Sequence, residues 1–167
     1  MKDMNKGPGR SKNAEVIFVV ITVFLVFTFF SKKPMGDVID ISGAKGNVTI
    51  SYQECVTDIS REIAGPSDSV AIQAVVDLLA ETEARRVKGY DSKLRYGVNL
   101  ETVDVFFYTD NGWTEWFLSN EHSIIYITTQ SKNETDIKHD EKAHDVPDDT
   151  IEKLKAVIMT YSENTIE

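Results

Sequence analysis

The chain has 167 residues, a formal net charge of −9 and one cysteine, Cys55. The acidity is concentrated from Pro34 onward, where 12 Lys or Arg face 25 Asp or Glu, a net of −13. Such a surface repels nucleic acid and anionic lipid headgroups, and a lone cysteine excludes an internal disulfide, so an apolar core has to hold the fold.

Residues 1–13 are polar, carry Lys2, Lys6, Arg10 and Lys12, and read as a cytoplasmic tail. The run Val16 to Phe30 has no charge, glycine or proline. It predicts a transmembrane anchor over 14–33, with Val16, Phe18, Val23, Leu25, Phe27 and Phe30 as anchor residues. Fifteen helical residues rise only about 22 Å, so Lys12, Lys32 and Lys33 are expected to cover the deficit by snorkelling. Thr22 and Thr28 are expected to return their hydroxyls to the helix backbone. A cleaved signal is disfavoured because Phe29 to Pro34 holds no small-x-small site, and a core helix because the run has no polar face. The basic residues before the run place the N-terminus in the cytoplasm and the remaining chain outside it, as a single-pass envelope protein.

Residues 34–47 hold three glycines and read as a stalk. The region 48–130 is expected to form a helix pair on an antiparallel sheet. Ser51 to Glu54 has the form of a capping box, and Tyr52, Val56, Ile59 and Ile63 recur as one helical stripe, stopped by Gly65-Pro66. The rival, a strand over Val48–Val56, is disfavoured by the polar Gln53-Glu54 pair. A second helix from Ser67 to Lys88 presents Ala71, Val75, Leu78, Leu79 and Thr82, with Glu81 and Arg85 paired at i, i+4.

From Tyr90 the period becomes two, through a strand at Leu94–Leu100 and another at Val103–Thr109. Asn111-Gly112 has the composition of a type I′ hairpin turn. The chain then returns over Trp113–Ser119, turns at Asn120-Glu121-His122, and runs out along Ser123–Gln130, a meander of three to four strands. Residues 131–146 are acidic and nearly free of apolar side chains, which predicts a mobile loop. A C-terminal helix is expected over 147–162, with Ile151, Leu154, Val157, Ile158 and Tyr161 buried. The fold class is therefore α+β.

With Asn111-Gly112 as the turn, Phe107 faces Trp116, Val105 faces Leu118, Phe106 faces Phe117 and Tyr108 faces Glu115. One face then carries Val103, Val105, Phe107, Trp116 and Leu118, joined by Ile125 and Ile127, and forms the core. The other carries Phe106, Tyr108, Trp113 and Phe117, with Ile124 and Tyr126 as candidates to join them. A sheet with one free face places polar residues there, so these aromatic side chains need cover from the last helix, a second copy or a ligand. Phe106, Tyr108, Trp113 and Phe117 are the candidate partner-binding surface.

His139 and His144 invite a metal reading, but they are five apart, not at the i, i+4 spacing of a helical zinc pair, and no third ligand is identifiable. Asn47-Val48-Thr49 and Asn133-Glu134-Thr135 match the glycosylation sequon at a frequency chance supplies. No nucleophile elbow or phosphate-binding glycine loop is present, and no carboxylate sits at a strand end beside an apolar pocket. No catalytic residue, metal ligand or cofactor is predicted.

The order of helix pair, antiparallel meander and helix resembles that of NTF2-like domains, in element order alone. The resemblance implies a cone-shaped fold with a small-molecule or catalytic pocket, here beside Phe107 and Trp116. The residues themselves favour a different class: a non-enzymatic, membrane-anchored interaction or assembly protein. Its expected partners are the bilayer through 14–33, and another envelope protein or its own copy, with no nucleic acid.

Overall fold

A computed structural model describes residues 12–88, 101–120, 123–132 and 137–162, with the side chains of 12–13 and 27–30 outside that description. The chain divides into two units at the Ser31–Lys32 junction.

The first unit contains helix α1, Lys12–Phe30. No glycine or proline interrupts the helix, and Thr22 Oγ1 donates back to the Phe18 carbonyl one turn earlier at 2.8 Å. Val16, Phe18, Val23 and Leu25 are exposed. Among the described residues, however, no helix is long and apolar enough to cross a membrane. Of the 19 residues of α1, Lys12, Asn13 and Glu15 are polar, and the uninterrupted apolar run from Val16 to Phe30 rises about 22 Å against a hydrocarbon core of about 30 Å. The helix stops at Phe30, and Lys33 pairs with Ala84 in strand β1, Lys33–Pro34. The anchor over 14–33, the single-pass topology and the extracytoplasmic placement are corrected accordingly. The side chains of Phe27 and Phe30 lie outside the described residues.

Among the described residues, the second unit is built on one antiparallel sheet of eight strands, far more than a meander of three or four. After β1 come β2 (Lys45–Glu54), β3 (Ile59–Pro66), β4 (Glu83–Val87), β5 (Glu101–Thr109), β6 (Gly112–Ser119), β7 (Ile124–Lys132) and β8 (Ile137–Asp145). Their spatial order is β1-β4-β8-β7-β6-β5-β2-β3. The described residues of the unit also form two helices, α2 (Val70–Glu81) and α3 (Thr150–Ser162), and a 3-10 turn at Met35–Asp37. Helix α3 packs against β2, β3, β5 and α2, and α2 packs against β3 and the 3-10 turn.

The expected first helix is a hairpin. Val48, Ile50 and Tyr52 alternate with Thr49, Ser51 and Gln53, and all three are fully buried. Val56, assigned to the helical stripe, stands 74% exposed in the turn between β2 and β3. Asp58 takes φ 54° there, a conformation aspartate tolerates. The expected second helix ends at Glu81, because the carbonyl of Thr82 accepts from the Met35 amide at 3.0 Å and Glu83 pairs with Pro34. Glu81 and Arg85 are therefore not helical neighbours, and Arg85 pairs with Asp145 of β8 at 3.1 Å.

The expected stalk joins the core: Met35, Ile39 and Ile41 are buried within the main apolar cluster. Of the expected mobile loop over 131–146, residues 131–132 end β7 and 137–145 are β8, in unbroken register from Ile124↔Asp145 to Lys132↔Ile137, while 133–136 lie outside the described residues. On β8, strand β4 reaches Ala143, His144 and Asp145, so among the described residues the rest of β8 is a sheet edge. Exposed charge there is what keeps an edge from pairing with another chain. The strand predicted over Leu94–Leu100, His122 and the sequon at Asn133 fall outside the described residues.

Candidate functional site

The β5–β6 turn is Asp110-Asn111, with Thr109 opposite Gly112, Tyr108 opposite Trp113, Phe106 opposite Glu115 and Asp104 opposite Phe117. The register differs from the expected one by two residues. A slip of two preserves the facing of every side chain, whereas a slip of one inverts it. Val103, Val105, Phe107, Trp116, Leu118, Ile125 and Ile127 are accordingly all buried on one face. Phe107 meets Trp116 edge to face at 5.6 Å inside the core, where the alternative reading expected a pocket.

The other face carries the aromatic candidates. Phe106 lies 5.1 Å from Tyr108, edge on, and 5.8 Å from Trp113, tilted, so three rings form one cluster at the hairpin end. Phe117 lies 6.5 Å from Tyr126, further along the sheet. Exposure changes along this face: Tyr108 is 59% exposed, Phe106, Trp113 and Phe117 are half-buried, and Tyr126 is buried. The open part is therefore the Phe106–Tyr108–Trp113 end. Two half-buried carboxylates, Asp104 and Glu115, stand among these rings on the same face. Lys45, across from Tyr108, is bound to Asp110 at 3.3 Å.

A polar cluster lies at the opposite end of β2 and β5, under α3. The Tyr52 hydroxyl donates to Glu101 Oε1 at 2.6 Å. Lys155 Nζ reaches Glu101 at 2.9 Å and Glu54 at 3.3 Å, and stands 5.2 Å from the centre of the Tyr52 ring. Asn120 donates its side-chain amide to Glu101 Oε2 at 3.1 Å and accepts from the Glu101 backbone at 3.2 Å. Burial, with the bond to Glu101, pushes the Tyr52 hydroxyl up to about 12. The Tyr52 and Lys155 hydrogen bonds hold the Glu101 carboxyl below its ordinary value. Contacts with Tyr52 and Glu101 raise Lys155. Each group moves further from neutrality, the reverse of what acid–base catalysis needs. The cluster is a clamp between α3 and the sheet. Sequence reading missed it, although a tyrosine on the core face of an alternating strand already demands a partner for its hydroxyl.

The histidine pair does not assemble. His139 and His144 are an odd number of residues apart on β8, so they point to opposite faces. His144 is buried opposite Arg86, and burial with the nearby Arg86 and Lys142 charges holds its imidazole below the ordinary value. Among the described residues no group of three or more metal-ligating side chains is present. Cys55 is exposed in the β2–β3 turn, against the burial usual for a free cysteine. No family model matches the chain, and no curated protein or solved structure does so either.

Proposed function

We propose that this chain is a non-enzymatic interaction protein, and that the open end of its second sheet face docks another protein. The observation carrying the reading is the ring cluster Phe106–Tyr108–Trp113, held within 6 Å centre to centre on a face where Tyr108 is 59% exposed. Aromatic residues dominate interface hot spots because they bury much area at little entropic cost. Phe117 extends the surface along β6.

The test separates folding from docking. Trp113→Ala should leave the melting temperature nearly unchanged and abolish capture of whatever protein the wild-type chain retains. Trp116→Ala, in the core, should cost about 3–5 kcal/mol of stability. If Trp113→Ala melts as low as Trp116→Ala, the second face is filled by the chain itself and the docking reading fails.

A further inference from the structure

We infer that the β4–β8 junction is a pH-sensitive latch: a proton taken up by the buried His144 imidazole releases β4, and β1 with it, from the sheet. The latch is independent of the docking face. His144 is 6% exposed, and among the described residues its Nδ1 has no hydrogen-bond partner. A neutral imidazole leaves one uncharged nitrogen unpaired there. An imidazolium carries a proton on both nitrogens, so the same site would hold a buried charge with an unanswered donor, which costs far more.

The neighbours add to that cost. Strands β4 and β7 pack against β8. On the face of His144, β4 presents Arg86 directly opposite, β7 presents Ile125, and β8 itself adds Lys142 two residues away. Asp140, further along that face, is committed to Lys142 at 3.1 Å. Asp145 points to the other face and pairs with Arg85 at 3.1 Å. Protonation therefore sets a third cation beside Arg86 and Lys142, and neither carboxylate is placed to answer it. Burial first, then Arg86 and Lys142, hold the imidazole below its ordinary 6.5. Its contribution to the junction is complete above 6.5 and is lost as pH falls through the lowered value.

The cost falls on a short ladder. Among the described residues β4 meets β8 through Arg85↔Asp145, Arg86↔His144 and Val87↔Ala143, with His144 in the central pair. Strands β7 and β8, by contrast, pair from Ile124 to Lys132. Strand β1 joins the sheet through β4, at Lys33↔Ala84 and Pro34↔Glu83. A short ladder at the end of a sheet opens locally without the rest of the fold.

The experiment is amide exchange on the full chain at about pH 7.5 and about pH 5, expressed as protection factors so that the intrinsic pH dependence of exchange cancels. Protection over Arg85–Val87 should fall about tenfold at the lower pH, while that over Val103–Phe107, in the core, should change less than about twofold. His144→Leu removes the titrating group and leaves an apolar side chain in its place, so protection over Arg85–Val87 should become equal at the two pH values. If that variant does not fold, Arg86→Gln serves, because removing the opposed cation should reduce the fall to about threefold. His139→Gln, at an exposed position on the other face, should leave the wild-type fall intact. Wild-type protection over Arg85–Val87 that is equal at both pH values overturns the latch. So does a fall that persists in His144→Leu, or undiminished in Arg86→Gln where the first variant does not fold, since another group then titrates. A matching fall over Val103–Phe107 is acid unfolding of the whole unit and overturns it too.

Discussion

Gly112 shows how one residue can be required for a reason other than its turn. Neither Asp110, Asn111 nor Gly112 takes positive φ, so the hairpin is not the type I′ that Asn-Gly suggests. A Cβ on Gly112 would instead collide with the Gln130 carbonyl and lie 3.1 Å from Ser131 Cα, because β7 passes directly alongside. Gly112→Ala should therefore cost about 1–3 kcal/mol in a thermal or urea melt. Gly43→Ala, with nothing within 4 Å of the added Cβ, should cost nothing comparable. Equal melts for the two would show that β7 does not pass so close. The α3 clamp makes a prediction with two limbs. Glu101 is lowered, so its contribution is complete above its ordinary 4.5 and is lost as pH falls through the lowered value. Tyr52 is raised from 10.0 to about 12 and Lys155 is raised above 10.5, so their contributions are complete below the ordinary values and are lost as pH rises through the raised ones. Stability from this cluster is flat from about pH 5 to about 10 and falls on both sides. Lys155→Met should cost about 1–2 kcal/mol, a modest sum because the lysine is one-third exposed, and should move the acid loss to higher pH. A urea-stability profile against pH that overlays the wild type would show that Lys155 does not clamp α3.

Element by element, the errors share a cause: local pattern competed with pairing partners distant in sequence. Tyr52, Val56, Ile59 and Ile63 fit a helix, and Val48, Ile50 and Tyr52 fit a strand over partly the same residues. The strand prevails because β2 pairs with both β3 and β5 and buries three large side chains, while a helix would have to place Val56 in the core. Glu54, taken as half of a capping box, meets Lys155 instead. Strand β8 is illegible for the opposite reason. Ile137 to Glu141 has no buried position, so no alternation can reveal it, and its strand form rests on the ladder to β7. The C-terminal helix was readable because Ile151, Leu154 and Ile158 recur on one face of a helix whose start is marked by Pro147. Two substitutions separate hairpin from helix. Ile50→Ala should cost about 2–5 kcal/mol and Val56→Ala less than about 0.5. Comparable losses in denaturant melts would return Val56 to the core and remove the β2–β3 turn.

At the scale of the whole molecule, facing was legible and order was not. A period of two says which side chains share a face, and the buried apolar residues on β5 and β6 follow it even through the two-residue change of register, whereas β7 is buried on both faces from Ile125 to Thr128. The same period does not name a strand's neighbours. Nothing in Glu83–Val87 marks it for a place between β1 and β8, or Lys33–Pro34 for the sheet edge beyond it. The docking face inherits this limit: its aromatic residues were visible, but only the register sets Glu115 beside Phe106 and Asp104 beside Phe117. The most exposed consequence of the topology concerns where the second unit begins. Its apolar cluster runs from Met35 to Ile158, and Met35 is 1% exposed, beneath a chain that looked like a spacer. The Met35 amide caps the carbonyl of Thr82, and Lys33 and Pro34 extend the sheet beside β4. A fragment of residues 32–167 should therefore fold with a single cooperative transition. A fragment of residues 36–167 loses β1, the Met35 amide and the buried thioether together, and should be weaker by about 2–5 kcal/mol from the methionine alone. Met35→Ala in the longer fragment separates the side chain from the strand, because it keeps the backbone pairing and removes only the packing. Urea melts of all three decide it: if 36–167 unfolds at the same midpoint as 32–167, the segment before residue 36 is a spacer after all, and the sheet begins at β2.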